Sequence, residues 1–509
     1  MSKTIQTAQV FGIEGRTVTV EVDIAPGMYK FALVGLPDKA VEESRDRINA
    51  AIKNSGLRPP QKTNQHITIN LAPADLKKEG PFFDLPIALC YLLASKQITF
   101  DTRNMAAVGE LALDGSLRPV RGILSIAHAL LRQGTETLIV PKENAIEAAL
   151  IPGIKIYGVS SLGEAIDHLE GRLPIPKTPA PKIKVRHENT PHDFAHIKGQ
   201  LIARRAAEIA AAGMHHIGLI GPPGTGKTLI ARAMPSILPD PTVKELLEIT
   251  MIASAAGKKS DSVSQKNLSI TRPFRSPHHT TSYAAVVGGG SFPTPGEITL
   301  AHRGVLFLDE FPEFNAQVIE ALREPLEDRV ITVSRVRGSF LFPANVLLVA
   351  AMNPCPCGNR GSKKVCTCSS SHLARYERRL SGPIVDRIDL WADVLHIDYD
   401  ELDGKTFAES SEQIRRRVEK AFAIQHARFL GKSEHTNSDI HARDIQKYCY
   451  LNKEGTELLQ TAAKNLGLSP RGYHRVLKIS RTIADLESVE NIQNKHLLEA
   501  LQFRPRLQQ

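Results

Sequence analysis

The chain contains no stretch of apolar residues that is long enough to cross a bilayer. Its longest apolar run, residues 85–94, has only half of the ~20 residues that a membrane-spanning helix needs. The first residues also lack the basic stretch and the apolar run of a secretory signal, so we expect no signal peptide. We therefore predict a cytoplasmic protein without a membrane partner.

Cysteine is scarce, with six residues in 509, and four of the six lie between positions 355 and 368. The other two, Cys90 and Cys449, stand in apolar or helical surroundings and are expected to be packed thiols. This usage excludes a disulfide-rich scaffold and is typical of a reducing compartment. The sequence also lacks internal repeats and low-complexity tracts, which argues against a repeat architecture.

Length and charge limit the number of domains and the kind of partner that the sequence can have. A chain of 509 residues is expected to divide into about two to four domains. The hydrophobic fraction of 42% suits a globular protein. The formal net charge of +10 favours a polyanionic partner.

The hydrophobic and proline patterns divide the chain into four parts. Residues 1–172 mix strand-like and helix-like segments, and residues 173–192 form a linker rich in proline and lysine. Residues 193–397 alternate strand and helix patterns, which is typical of a parallel α/β sheet with crossover helices. Residues 398–509 are predicted to be helical.

A glycine-rich run between an apolar segment, 217–220, and a helical segment, 229–234, is the most informative motif. Its glycines let successive backbone N–H groups turn towards phosphate oxygens. Lys227 can reach the β- and γ-phosphates, and Thr228 can hold Mg²⁺ through its hydroxyl. An ordinary strand-to-helix turn is the alternative. The run consists of Gly221, Pro222, Pro223, Gly224, Thr225, Gly226, Lys227 and Thr228.

A second apolar strand, residues 305–308, ends in two carboxylates, Asp309 and Glu310. Asp309 is placed to reach Mg²⁺, and Glu310 is placed to orient or deprotonate water. Asn353 follows another apolar strand, 346–352, and its amide can fix the attacking water beside Glu310. These residues predict binding and hydrolysis of a nucleoside triphosphate, with ATP and Mg²⁺ as cofactors.

Two arginines are candidates for contact with the nucleotide. Arg387 stands on a turn before a strand, from which it can project into the γ-phosphate site of a neighbouring subunit. A surface ion pair is the alternative for Arg387. Arg471 lies with Arg475 and Lys478 on one face of a helix whose other face is apolar, so its alternative is a solvated basic face.

The clustered cysteines lie in a short, polar, glycine-bearing loop. Four thiolates match the tetrahedral demand of Zn²⁺, although their one-residue spacing is tighter than the usual spacing of about two to four. We predict a zinc site, with redox or disulfide use and unliganded thiols as the alternatives. The four residues are Cys355, Cys357, Cys366 and Cys368.

Residues 330–342 are predicted to form a hairpin with its turn at Gly338 and Ser339. Arg335 and Arg337 would share one strand face and grip phosphate groups of DNA without regard to base sequence. Pairing of these arginines with neighbouring subunits is the alternative. The adjacent pair His278 and His279 is expected to have a structural or DNA-facing role.

The order of these motifs resembles that of the AAA+ ATPases, and more narrowly that of the magnesium-chelatase-like family. The resemblance implies that Asn353 is sensor 1, Arg387 the arginine finger and Arg471 sensor 2. It covers essentially the whole chain, and the stretches that carry it are residues 272–280, 295–304, 353–358 and 380–389.

The same resemblance implies a function. It predicts a homo-hexameric DNA helicase that drives branch migration during homologous recombination in natural transformation. Its partners would be single-stranded, forked or branched DNA and recombination proteins. Relatives in the wider clade insert magnesium into porphyrins, so remodelling of a protein or tetrapyrrole complex is the alternative.

Two segments of the first part, 77–82 and 109–124, are similar to segments of the Lon protease domain. That family places a serine and a lysine where this chain has Phe82 and Leu124, which supply neither a nucleophile nor a base. We therefore expect the fold without proteolysis. The predicted fold class is α/β: an N-terminal Lon-protease-like α+β domain (ribosomal S5 domain 2-like), a central AAA+ parallel sheet with helices, and a C-terminal helical lid.

Overall fold

The computed structural model divides the chain into two compact units. One comprises residues 1–185 and 246–270, and the other comprises residues 186–245 and 271–509. The domain boundaries that we derived from the sequence stay a prediction. The structure describes residues 3–183, 191–257, 267–268, 271–290, 294–335, 338–360, 364–379, 382–396, 408–432 and 435–504.

The first unit is built on a seven-stranded mixed sheet. Its longest strands, Lys3–Phe11 and Glu14–Pro26, form an antiparallel pair. In Gln65–Ala72 buried residues alternate with half-buried ones, because successive side chains of a strand face opposite sides of the sheet. From edge to edge the strands are Lys30–Val34, Gln65–Ala72, Glu14–Pro26, Lys3–Phe11, Met105–Ala107, Thr137–Pro141 and Lys155–Val159.

The longest apolar run of the sequence lies in the helix Asp84–Ala94, which is buried from Asp84 to Leu93. The Asp84 carboxylate accepts from the guanidinium of Arg47 at 2.7 Å, which pairs its charge. The helices of this unit are Lys39–Glu42, Ser44–Asn54, Asp84–Ala94, Ile123–Arg132, Ala145–Ala148 and Leu162–Leu169, with 3₁₀ turns Pro60–Lys62, Pro81–Phe83 and Lys142–Asn144. Two short strand pairs complete it: Glu110–Leu111 with Leu117–Arg118, and Lys182–Ile183 with Asn267–Leu268.

Phe82 and Leu124 occupy the two positions where a Lon-type protease carries its nucleophile and base. Leu124 is fully buried in an apolar cluster, and Phe82 packs against the same cluster. The two positions are thus filled by packed hydrocarbon side chains.

The second unit is built on a five-stranded parallel sheet. Because all its strands point the same way, their carboxyl ends meet at one edge of the sheet. The strand before the glycine-rich run lies next to the strand before Asn353, which in turn lies next to the acidic strand. The order is Phe274–Arg275, Val305–Leu308, Leu347–Met352, Ile217–Ile220 and Leu390–Asp393.

The other elements of this unit are mostly helical, and helices make up the C-terminal part. Ser410 begins the helix Ser411–Arg428 with a capping box. Ser469 accepts from the N–H of Gly472 ahead of a first-turn proline. The helices are Leu201–Gly213, Lys227–Ala233, Val243–Ala255 (from Leu246 in the first unit), Tyr283–Val287, Glu297–Leu300, Ala316–Ala321, Arg323–Glu327, Ser370–Arg379, Gly382–Val385, Ser411–Arg428, Ile445–Tyr448, Lys453–Leu466, Pro470–Leu486 and Asn494–Gln502.

Short elements complete the second unit. The 3₁₀ turns are Phe194–His196, Met234–Ile237, Phe311–Glu313, Asn437–Asp439 and Ala442–Asp444, and two strand pairs join Gly288–Gly289 to Thr294–Pro295 and Val330–Arg335 to Gly338–Pro343. None of the helices in the described part of the chain is long and apolar enough to cross a membrane.

The hairpin forms, but its turn is not where the sequence suggested. Gly338 and Ser339 are paired within the second strand, Gly338 opposite Arg335, so these two residues do not form the turn. The register has a physical reason, because it brings Phe340 opposite Val333 and Phe342 opposite Ile331, with all four side chains buried.

Candidate nucleotide site

The glycine-rich run joins the strand Ile217–Ile220 to the helix Lys227–Ala233. Gly224 and Gly226 have φ angles of 77° and 96°, a left-handed conformation that side chains disfavour. A Cβ atom at Gly221 would lie 2.1 Å from the carbonyl oxygen of Val394. The glycines therefore allow a tight loop at the start of a helix, where backbone N–H groups face a bound anion.

Lys227 lies within this loop. Its Nζ donates to the carbonyl oxygens of Gly221 at 2.6 Å and Pro222 at 2.8 Å, and to Asn353 Oδ1 at 3.2 Å. Burial lowers the pKa of Lys227, while the nearby carboxylate of Asp309 opposes that change. These hydrogen-bond partners are uncharged oxygens, so they do not neutralise the ammonium. Its positive charge therefore remains available to the oxygens of a phosphate.

Thr228 lies in the first turn of the helix after the phosphate loop, and it contacts Asp309 at the end of the acidic strand. The Thr228 hydroxyl donates to Asp309 Oδ2 at 3.0 Å. A hydroxyl and a carboxylate oxygen in contact are ligands of the kind that Mg²⁺ takes beside a nucleotide phosphate. These two residues therefore fit the predicted Mg²⁺ ion.

Glu310 begins a turn with a φ angle of 51°, uncommon for a residue other than glycine. Its side chain is 54% exposed, and Oε2 lies 3.1 Å from Nδ1 of His279. The ring of His278 lies 4.1 Å from that of His279, but its Nδ1 contacts Thr280 at 2.8 Å. The adjacent histidines thus have different partners, and His279 is a site residue that sequence reasoning missed.

Asn353 stands beside the phosphate loop through its contact with Lys227. The Tyr376 hydroxyl donates to the Asn353 carbonyl oxygen at 3.0 Å, which fixes the backbone at the strand end. A Cβ atom at Gly358 would lie 2.6 Å from Pro223 Cδ, so the segment after Asn353 packs directly on the phosphate loop.

Gln200 is a second residue that the motifs did not indicate. It has a φ angle of 52°, and its Nε2 donates to the carbonyl oxygens of Thr225 at 3.2 Å and Leu395 at 2.6 Å. The neighbouring side chains Leu201, Ile202 and Leu395 are exposed, at 76%, 52% and 59%. Gln200 therefore links the phosphate loop, through hydrogen bonds, to a neighbouring segment with exposed apolar side chains.

Arg387 lies at the end of the sheet where the parallel strands begin, opposite to the end that carries the phosphate loop. It precedes the strand Leu390–Asp393, whose first residue pairs with Ile217, the first residue of the strand before the loop. Four paired residues span about 10 Å along a strand. Arg387 therefore lies at the amino end of the sheet, away from the phosphate loop at the carboxyl end.

Arg471 belongs to the same edge as Arg387, because both donate to the carboxylate of Glu327. Arg475, from the same helix as Arg471, donates to the carbonyl oxygen of Asp386 at 2.7 Å. The structure thus brings the two candidate arginines together, but apart from the phosphate loop of their own chain.

The four clustered cysteines lie close together in the structure. Their sulfur atoms all lie within 4.8 Å of one another, and three of the distances are 3.4, 3.6 and 3.8 Å. A tetrahedral Zn²⁺ with bonds of about 2.3 Å would separate sulfur ligands by about 3.8 Å. Backbone N–H groups of Asn359 and Thr367 help to lower the pKa of Cys357 to about 6. The other two cysteines, Cys90 and Cys449, are buried as predicted.

Of the two arginines predicted to contact DNA, the structure describes only the backbone of Arg335. Arg335 ends the first strand of the hairpin, opposite Gly338. Its side chain and the whole of Arg337 lie outside the described residues, so their predicted role stays a prediction.

This arrangement defines a class of protein: a P-loop ATPase whose phosphate loop, acidic strand and polar strand tip share one edge of a parallel sheet. The chain belongs to the magnesium-chelatase family of AAA+ ATPases, as the motifs had suggested. Residues 193–402 match the family described as "Magnesium chelatase, subunit ChlI". Residues 20–144 and 408–504 match the companion families for subunit ChlI and its C-terminal part.

Similar proteins extend over nearly the whole chain. The competence protein ComM of Haemophilus influenzae is 42% identical over 499 residues, which is 97% of this chain and 95% of ComM. Protein YifB of Escherichia coli is 42% identical over 504 residues, 98% of this chain and 96% of YifB. Lon protease of Rhizobium meliloti is 27% identical over 173 residues, 32% of this chain and 21% of that protease. The predicted family and fold class are confirmed, and an AAA+ ATPase family implies ATP and Mg²⁺.

Proposed function

We propose that the protein is an ATP-driven ring motor that moves branch points in DNA during the recombination step of natural transformation. The observation that carries the proposal is the separation of the arginines from the phosphate loop across one parallel sheet. Such a chain needs a second subunit to complete its ATP site.

The separation supports action across a subunit interface. Lys227, Thr228 and Asp309 would hold the phosphates and Mg²⁺ at one end of the sheet, while Arg387 and Arg471 lie at the opposite end. In a ring with head-to-tail contacts, one edge of each subunit faces the other edge of its neighbour. A hexamer, the ring size that the family resemblance implies, closes such contacts.

In this proposal, two neighbouring subunits contribute residues to the hydrolysis of each ATP. Thr228 and Asp309 would hold Mg²⁺, which would supply charge neutralisation at the phosphates. Glu310 takes a proton from water that Asn353 orients, and the neighbour's Arg387 and Arg471 stabilise charge on the γ-phosphate oxygens.

DNA is the proposed substrate for three reasons. The chain carries a net charge of +10, and a basic hairpin follows the acidic strand in the sequence. A relative that is 42% identical over almost its full length is named a competence protein. Single-stranded, forked or branched DNA in the cytoplasm is therefore the proposed partner, with recombination proteins beside it.

The cysteine cluster is proposed to hold one structural Zn²⁺ ion. The distances between its sulfur atoms fit a tetrahedral ion, and the loop packs against Pro223 of the phosphate loop. The ion would stabilise the segment that follows Asn353, with no part in the chemistry of hydrolysis.

The experiment that tests the function measures ATP turnover in the presence of different effectors. Forked or four-way DNA is expected to stimulate turnover more than an unfolded protein or a porphyrin does. Stimulation by porphyrin or protein and not by DNA would favour the competing function, a remodeller of such complexes.

A further inference from the structure

One carboxylate, that of Glu327, accepts from both candidate arginines. Arg387 Nη2 donates to Oε2 at 2.7 Å, and Arg471 Nη1 donates to Oε1 at 2.5 Å. Each oxygen of Glu327 thus holds one guanidinium. Burial opposes the charge of this carboxylate, but the two arginines outweigh burial and hold the pKa of Glu327 below its ordinary value.

The anion is what allows the two cations to stand side by side. Like charges at close range repel each other, more strongly where solvent is partly excluded. The side chain of Arg387 is only 13% exposed, while those of Glu327 and Arg471 are 38% and 45% exposed. Without the carboxylate, nothing on Glu327 would offset the repulsion between the two guanidinium groups.

Glu327 is itself held in place. It ends the short helix Arg323–Glu327, which directly precedes the hairpin. Glu324 of this helix accepts from the backbone N–H of Thr332 at 3.1 Å and from its hydroxyl at 2.6 Å. The helix is therefore fastened to the first hairpin strand, and Glu327 offers its carboxylate from a fixed position.

We propose that Glu327 is a positioning residue for ATP hydrolysis: it holds Arg387 and Arg471 as a pair, so that both reach the γ-phosphate bound by a neighbouring subunit. The inference rests on the proposed action of these arginines across the interface. It adds a residue that touches neither nucleotide nor water and acts only through the two arginines.

The arginines can bind phosphate without leaving Glu327. A guanidinium carries five N–H donors. In contacts with described residues, Arg471 uses one nitrogen, and Arg387 uses two, on Glu327 and on the carbonyl oxygen of Pro383. Donors therefore remain on both, and a pre-oriented pair loses less freedom on meeting the phosphate.

The first test is steady-state ATP turnover by Glu327→Ala and Glu327→Asp. We expect kcat of the alanine variant to fall about ten- to a hundred-fold, the range for misplaced catalytic groups. KM for ATP should stay within about twofold, since the phosphate loop of the same chain is untouched. The aspartate variant should recover part of kcat, because it restores the charge with a shorter reach.

Glu320→Ala is the matched control. Glu320 lies on the preceding helix and pairs with Arg323 at 2.7 Å, with both side chains about 40% exposed. Such a surface pair contributes little, so this variant should turn over ATP like the wild type. An unchanged or higher kcat for Glu327→Ala would overturn the inference.

The second test locates the defect. Glu327→Ala subunits keep an intact phosphate loop, and Lys227→Ala subunits keep an intact arginine pair. Rings that contain both should regain turnover, whereas damage to the variant's own site would give no rescue and would overturn the inference. Arg387→Ala is measured in parallel: normal turnover there refutes the proposed action of the arginines, and the inference about Glu327 with it.

Discussion

Replacing Glu310 with glutamine is expected to stop ATP hydrolysis while leaving ATP binding intact. Lys227 and Thr228 make their contacts within the described residues without Glu310, so the phosphate loop keeps its shape. Glutamine has the same size and keeps an oxygen 3.1 Å from the position of His279 Nδ1. The substitution removes the basicity and the negative charge of the side chain.

The structure also bounds the size of the effect. A positioned general base contributes about 10²- to 10⁴-fold to the rate. The Glu310 side chain is 54% exposed, so solvent reaches its carboxylate. We therefore expect a loss in the lower part of that range, about 10²- to 10³-fold, or about 3–4 kcal/mol in the activation free energy.

The assay combines single-turnover phosphate release from labelled ATP with binding of a fluorescent ATP analogue. Glu313→Gln is the control, because Glu313 is the next carboxylate along the chain and pairs with Arg379 at the surface. Its turnover should match that of the wild type. A Glu310→Gln protein that hydrolyses ATP within about threefold of the wild-type rate would refute the assignment of the base.

Three further outcomes are expected. Arg387→Ala subunits should bind ATP without turning it over and regain activity when mixed with Lys227→Ala subunits; mixed rings that stay inactive would contradict action across the interface. Protein purified without chelator should contain about one Zn²⁺ per chain by elemental analysis and lose it in Cys357→Ser; metal-free protein with freely titrating thiols and full activity would exclude the site. Arg335→Ala/Arg337→Ala should weaken DNA binding and reduce the salt dependence of the binding constant by the equivalent of about two phosphate contacts. An unchanged salt dependence would show that the hairpin does not bind DNA phosphates.

The sequence was sufficient for the half of the site that is built locally. A phosphate loop is one continuous turn, and the glycines that permit it and the lysine that serves it are neighbours in the chain. Asp309 and Asn353 were predictable for a similar reason, since each follows an apolar strand and parallel strands end at one edge.

The other half depends on contacts between distant segments. The meeting of Arg387 and Arg471 on Glu327 joins a turn, a C-terminal helix and the segment before the hairpin, and a local pattern carries no signal for it. His279 follows the strand that pairs with the acidic strand, which places it beside Glu310. This pairing could not be predicted, because strand order is known only from the fold.

The hairpin turn was misplaced because glycine at position 338 suggested a turn by itself. The buried pairs of Phe340 with Val333 and Phe342 with Ile331 decide the register instead. Side-chain burial on one face of a hairpin thus outweighs a single flexible residue.

The most direct test of the proposed motor is movement of a branch point. A labelled three-strand or four-way junction is incubated at low salt with the assembled protein, ATP and Mg²⁺, and strand exchange is followed on a native gel. We predict ATP-dependent conversion of the junction to linear duplexes, little affected by base sequence, and none with Glu310→Gln. Wild-type protein that hydrolyses ATP at its full rate and leaves every junction intact would contradict the account.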